Sequence, residues 1–158
     1  MIVDKNIDTD QIYPGRYLEL VEPEEIAKYA MEGVDPDFFN RFNRGDIIVA
    51  DKNFRCGSSR EHAVITLKIA GVAAIIAPSF ARIFYRNAIN LGLPLITCSN
   101  STDFVKEGEE LVLQLETGLI KNKTTVTEIN EDPRSPFVLE MISYGGIKQY
   151  YIHKHQEK

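Results

Sequence analysis

Three short runs of consecutive apolar residues stand in the middle of the chain: IIVA at Ile47–Ala50, VAAIIA at Val72–Ala77 and LPLIT at Leu93–Thr97. Unbroken apolar runs of this length, rich in β-branched residues, suit strands buried on both faces. The segments between them repeat their apolar positions at helical spacing. One helix is predicted over Glu61–Ala70, and a second over SFARIFYRNAINLG, started by Pro78 and Ser79 and ended by Gly92. The order strand, helix, strand, helix, strand predicts a parallel sheet with right-handed crossovers.

The flanks differ. IDTDQIYPGR, from Ile7 to Arg16, is polar and carries a Pro-Gly pair, so it reads as a loop. Pro23, the acids behind it and Gly33 bracket a helix from about Pro23 to Glu32, and DPDFFNRF predicts another brief helical turn. Toward the end, EELVLQLETGLIKNKTTVTEI alternates apolar and polar residues around Thr117-Gly118, which predicts an antiparallel pair. PFVLEMISYGG reads as a short helix closed by Gly145 and Gly146, and the final HKHQEK as a frayed end.

Composition narrows the function classes. With 158 residues, 44% of them hydrophobic, the chain is expected to form one domain over residues 1–158. A net charge of −5 with scattered Lys and Arg argues against a nucleic-acid surface. No apolar run approaches the roughly 18 residues that span a bilayer. The start lacks a signal-peptide pattern, and only two cysteines, Cys56 and Cys98, occur, so a reduced, cytoplasmic setting without membrane contact is expected.

The chemistry concentrates in NFRCGSSREHA, from Asn53 to Ala63, between a predicted strand and a predicted helix. Ser58-Ser59-Arg60-Glu61 matches S-x-x-E, the capping box that satisfies N–H groups at a helix start. The same geometry is an anion site, because unpaired N–H groups and the positive end of the helix dipole face outward there. Gly57 permits close backbone approach, and Arg60 adds a planar fork suited to a carboxylate. A serine held there can act as a base beside a carboxylate, and the carboxyl ends of parallel strands are where ligands gather. The residues themselves lead to a carboxylate ligand and leave the capping box and the site both open.

Other candidates are plainer. Cys56 has no second ligand at metal spacing, so no metal site is expected in this chain. His62 orients the first helical turn, His153 and His155 face solvent in a polar tail, and Arg82 with Arg86 share one helix face, solvated or at an interface.

NFRCGSSREHA, with IDTDQIYPGRYL before it and SFARIFYRNAINLGLPLI after it, resembles the small subunits of 3-isopropylmalate dehydratase and the related homoaconitases, of the aconitase superfamily. The likeness runs from Asp4 to about Gly146. It implies an α/β fold, a swivelling β/β/α domain like the mobile last domain of aconitase, with a mostly parallel central sheet and antiparallel C-terminal strands. It also implies a large subunit as partner, holding the [4Fe–4S] cluster for which this chain has too few cysteines, and a small di-acid substrate. In that scheme Ser58 is the base, Ser59 and Arg60 bind substrate carboxylate, and Thr9 and Asp10 border the site. Arg55 stands where many members carry glycine.

The resemblance also places substrate choice in Tyr17, Leu18, Glu19 and Leu20. Homoaconitase-like members carry an arginine at the position of Glu19, paired with a distal carboxylate. Here Glu19 repels a third carboxylate, while Leu18 and Leu20 suit a branched alkyl arm. Isopropylmalate is the expected substrate, with a homoaconitase or methylmalate-type substrate as the alternative. A noncatalytic carboxylate-binding module is the reading from another class, and it has no need of a basic Ser58.

Overall fold

The computed structural model describes residues 2–3, 7–51, 54 and 61–157. At its centre lie four parallel strands, β1 (Ile2–Val3), β2 (Ile47–Ala50), β3 (Ala74–Ala77) and β4 (Leu95–Thr97), in the spatial order β1-β2-β3-β4. Ile48 pairs with Ile75, and Ile76 with Ile96. The three apolar runs therefore form the predicted parallel core.

Strands that neighbour one another in chain order, joined by crossovers of one hand, send every intervening helix to the same face. Those helices are α1 (Thr9–Ile12), α2 (Pro23–Lys28), α3 (Phe38–Arg41), α4 (His62–Ala70) and α5 (Arg82–Asn90). Ile12, Phe38, Val64, Leu67, Phe84 and Ala88 close over Ile48, Ala50, Ile75, Ala77 and Leu95 in one buried cluster. The alternate residues Val49, Ile76 and Ile96 point the other way. A second sheet covers them: β5 (Leu111–Gln114), β6 (Leu119–Asn122) and β7 (Thr127–Asn130), antiparallel throughout. Ile120, Leu111, Leu113 and Ile129 meet the inner sheet there. The result is a layered β/β/α fold, in accord with the expected class.

Four local expectations are corrected. The polar start is more ordered than its composition suggests, holding α1 and a 3-10 turn at Gly15–Tyr17. The helix predicted to Glu32 stops at Lys28, and the chain bends through Met31, at φ 58, so that the Met31 and Gly33 N–H groups reach the carbonyls of Ile12 and Gln11 at 2.6 and 3.0 Å.

The antiparallel pair is a three-stranded meander. Buried Asn122 turns the chain a second time, its Oδ1 accepting from the N–H groups of Thr124 and Thr125 at 3.1 and 3.2 Å.

The short α6 (Ser101–Phe104) follows β4, and the tail forms α8 (Ile147–Gln156) after α7 (Pro136–Ser143). Tyr150 meets Phe137 edge-on and Tyr144 at a tilt of 59°, and Lys154 pairs with Glu140 at 3.0 Å. Lys68 ties these helices to the core: its Nζ donates to the Leu91 carbonyl and, at 2.7 Å, to that of Gly145. Both acceptors lie at helix C-termini, where a cation is favoured. Among the described residues no helix is long and apolar enough to cross a membrane.

Candidate functional site

Beyond the regular strands the sheet continues for one more row. Phe54 bridges in parallel to Ile7 on one side and to Phe80 on the other, and the Ala81 N–H donates to the Phe54 carbonyl at 3.4 Å. Phe54 is fully buried, its ring 5.2 Å from Phe84 and 6.1 Å from Phe80. Three residues far apart in sequence, Ile7, Phe54 and Phe80, thus lie side by side beyond the carboxyl ends of β1, β2 and β3. Ligands collect at this edge in parallel sheets. At the opposite end lies a cleft of about 410 Å³, lined by Arg41, Asp46, Val105 and Glu107 among others; among the described residues its lining includes none from the three motifs.

Thr9 and Asp10 are presented by a helix start that the composition concealed. Asp8 and Gln11 form a reciprocal cap: the Gln11 N–H donates to Asp8 Oδ1 and the Asp8 N–H to Gln11 Oε1, both at 2.9 Å. Ile7 and Ile12, just before the cap and in the following turn, are buried in the same cluster, the spacing of a hydrophobic staple. The D-x-x-Q spacing between two isoleucines was the available signal. Such a cap is worth about 1 kcal/mol, enough to hold α1 in one orientation at the edge. Asp10 is solvent-exposed, and α1 packs on α4, the helix that follows GSSRE.

Ser58, Ser59 and Arg60, with Arg55 and Cys56, lie outside the described residues. Their neighbours are placed: Phe54 as above, and Glu61 at the N-cap position of α4. His62 opens that helix, exposed, its carbonyl accepting from Thr66 Oγ1 at 2.7 Å. Arg82 and Arg86 are both exposed on α5 and line one shallow depression with Phe80 and Tyr85. His153 and His155 are exposed on α8.

The loop assigned to substrate choice begins in a polar and aromatic cluster. Tyr17 stacks on Tyr29 with ring centroids 3.8 Å apart, and Tyr13 Oη donates to the Tyr17 carbonyl at 2.6 Å. Burial, then the neighbouring Tyr17 and Tyr29, raise the Tyr13 pKa, so this hydroxyl stays a donor. Leu18 and Leu20 are half-buried and Glu19 is exposed. Tyr13, Tyr29 and Glu32 were not singled out in the sequence; the contacts that give Tyr29 and Glu32 a role join residues 12 to 16 positions apart.

No group of three His, Cys, Asp or Glu among the described residues could hold a metal ion. Cys98 belongs to the cluster between the two sheets, and burial pushes its thiol up to about 11. A protonated core thiol is no ligand.

Comparison with known proteins agrees with this arrangement. The family model of the aconitase C-terminal domain matches residues 36–101. An isopropylmalate/citramalate isomerase small subunit of Methanocaldococcus jannaschii is 53% identical over 152 residues, covering 96% of this chain and 90% of that protein. A 3-isopropylmalate dehydratase small subunit of Aliarcobacter butzleri is 54% identical over 145 residues, covering 92% and 87%. A crystal structure of a 3-isopropylmalate dehydratase from Methanocaldococcus jannaschii superposes with a TM-score of 0.90 at 39% identity, covering 98% of this chain and 92% of that one. The chain therefore belongs to the family of 3-isopropylmalate dehydratase small subunits, in the aconitase superfamily.

Proposed function

We propose that this chain, as one cytoplasmic swivel domain over residues 1–158, is the small subunit of a hydro-lyase that interconverts 2-isopropylmalate and 3-isopropylmalate in leucine biosynthesis. Water is removed and then returned with its hydroxyl on the neighbouring carbon. The observation that supports this reading is the row Ile7–Phe54–Phe80, one residue from each of the three family motifs, beyond the carboxyl ends of parallel strands, where ligands gather.

Within that reading, Ser58 Oγ, as an alkoxide, takes the proton from the carbon next to a substrate carboxylate, and the electron pair of that C–H bond forms the double bond as the hydroxyl departs as hydroxide; that proton and the hydroxide together make up the water removed. Ser59 and the fork of Arg60 hold the carboxylate. Thr9 and Asp10 border the site on the capped start of α1. Leu18 and Leu20 line the space for the alkyl arm. Glu19 disfavours a third carboxylate, since like charges about 4 Å apart cost on the order of 4 kcal/mol near a protein surface. A [4Fe–4S] cluster held by a large-subunit partner would supply Lewis acidity toward the departing hydroxyl; no group of donors among the described residues of this chain fits one.

A methyl-substituted malate is the second reading, favoured by the relative whose name couples isopropylmalate with citramalate. A substrate panel on the complex with its large subunit separates the two. The wild type is expected to turn over 2-isopropylmalate fastest, with homocitrate or homoaconitate accepted only by Glu19→Arg. Faster turnover of the methyl-substituted acid would favour the second reading, and wild-type preference for homoaconitate would rule out both.

A further inference from the structure

One side chain gathers the start of the Tyr17–Leu20 loop. Glu32 Oε1 accepts from Arg16 Nη2 at 2.8 Å and from Tyr17 Oη at 3.1 Å, and the Arg16 guanidinium lies 4.8 Å from the centre of the Tyr17 ring. The Tyr17 side chain, then Glu32, raise the Arg16 pKa, so the cation persists. Glu32 Oε2 is buried and receives no hydrogen bond from the described residues.

Glu32 is itself held in place. The Met31 and Gly33 N–H groups on either side of it donate to Ile12 and Gln11. At Gly33 even a methyl group would stand 2.5 Å from the Gln11 Cα, so the two segments meet at backbone distance. Segment 31–33 is thereby registered on α1, which carries Thr9 and Asp10. Asp10, Arg16 and Glu32 line one open depression of about 620 Å³.

An exposed ion pair alone is worth little, and Arg16 is largely exposed. Here the same carboxylate oxygen also receives a tyrosine hydroxyl whose ring is stacked on Tyr29, so the charge-assisted bonds act on a group already restricted.

We propose that Glu32 is the positioning residue of the Tyr17–Leu20 loop, setting through Arg16 and Tyr17 where Leu18 and Leu20 stand relative to Asp10, and so helping to determine which substrate side arm is accepted. This rests on the dehydratase function proposed above. Glu32→Ala removes the acceptor; Glu32→Gln keeps an oxygen for Tyr17 and Arg16 but gives up the charge.

The test has two arms. In the complex with the large subunit, kcat and KM are measured for 2-isopropylmalate and for a methyl-substituted malate. On the full chain alone, trypsin cleavage after Arg16 is followed by mass spectrometry, with melting recorded beside it. Glu32→Ala is expected to lower kcat/KM for isopropylmalate about 10- to 100-fold, chiefly through KM, to lower that for the smaller acid less, and to speed cleavage after Arg16 several-fold at nearly unchanged melting. Glu32→Gln is expected to recover most of the selectivity. Equal losses on both substrates, or cleavage after Arg16 at the wild-type rate, would overturn the proposal. A wild-type complex inactive on both acids would instead overturn the dehydratase reading, while the cleavage rate still decides whether Glu32 holds the loop.

Discussion

Turnover by the complex is expected to fall by about 10²- to 10⁴-fold in Ser58→Ala, the range associated with losing a positioned acid or base. The loss should lie in kcat, because the carboxylate contacts proposed for Ser59 and Arg60 remain. Arg60→Lys is expected to behave differently: a point charge replaces a bidentate fork, so KM rises more than kcat falls. Ser58 also fits a capping box, and losing a cap costs about 1 kcal/mol. Melting of the same variants separates the roles. A small drop in melting with near-wild-type kcat would leave Ser58 as a helix cap only.

The second large effect is on stability. Phe54 is fully buried against Phe80 and Phe84, and its backbone joins Ile7 to Phe80. Phe54→Ala is expected to cost about 3–5 kcal/mol, a large part of the roughly 5–15 kcal/mol that holds a domain folded. For a chain of this size that lowers the melting temperature by roughly 6–20 °C. Phe54→Leu, which retains much of the volume, should cost clearly less. Since Phe54 precedes the GSSRE segment by a few residues, the alanine variant should also lose activity at temperatures where it is still folded. A cost below about 1 kcal/mol in urea unfolding would mean that the row does not anchor the edge.

The parallel core was legible because its strands are buried on both faces, so IIVA, AIIA and LIT stand out as apolar runs whatever covers them. The helices between them were legible from apolar spacing and, for the second, from its terminator Gly92. What escaped depends on side chains answering one another. Asp8 and Gln11 make a helix start of a segment whose composition reads as loop. Asn122 makes a strand pair into three strands through one buried amide. The tail becomes helical because Tyr150 and Lys154 find partners on α7, and isolated propensity does not register that. The same holds at the site. NFRCGSSREHA suggests an anion site locally, by the type and order of a glycine, serines and an arginine before a helix, and its Ser58, Ser59 and Arg60 lie outside the described residues. Glu32 was silent, because its role exists only once the turn after α2 folds back on α1.

In the proposed function this chain supplies catalytic residues to a reaction it does not perform alone. The most direct test compares water removal from 2-isopropylmalate by three preparations: the purified chain, a cluster-bearing large subunit reconstituted anaerobically, and the two combined. Turnover in the combination, and in neither component alone, is the predicted result. Turnover by the metal-free chain alone, or by the large subunit at the same rate without it, would show that the reaction does not need both subunits.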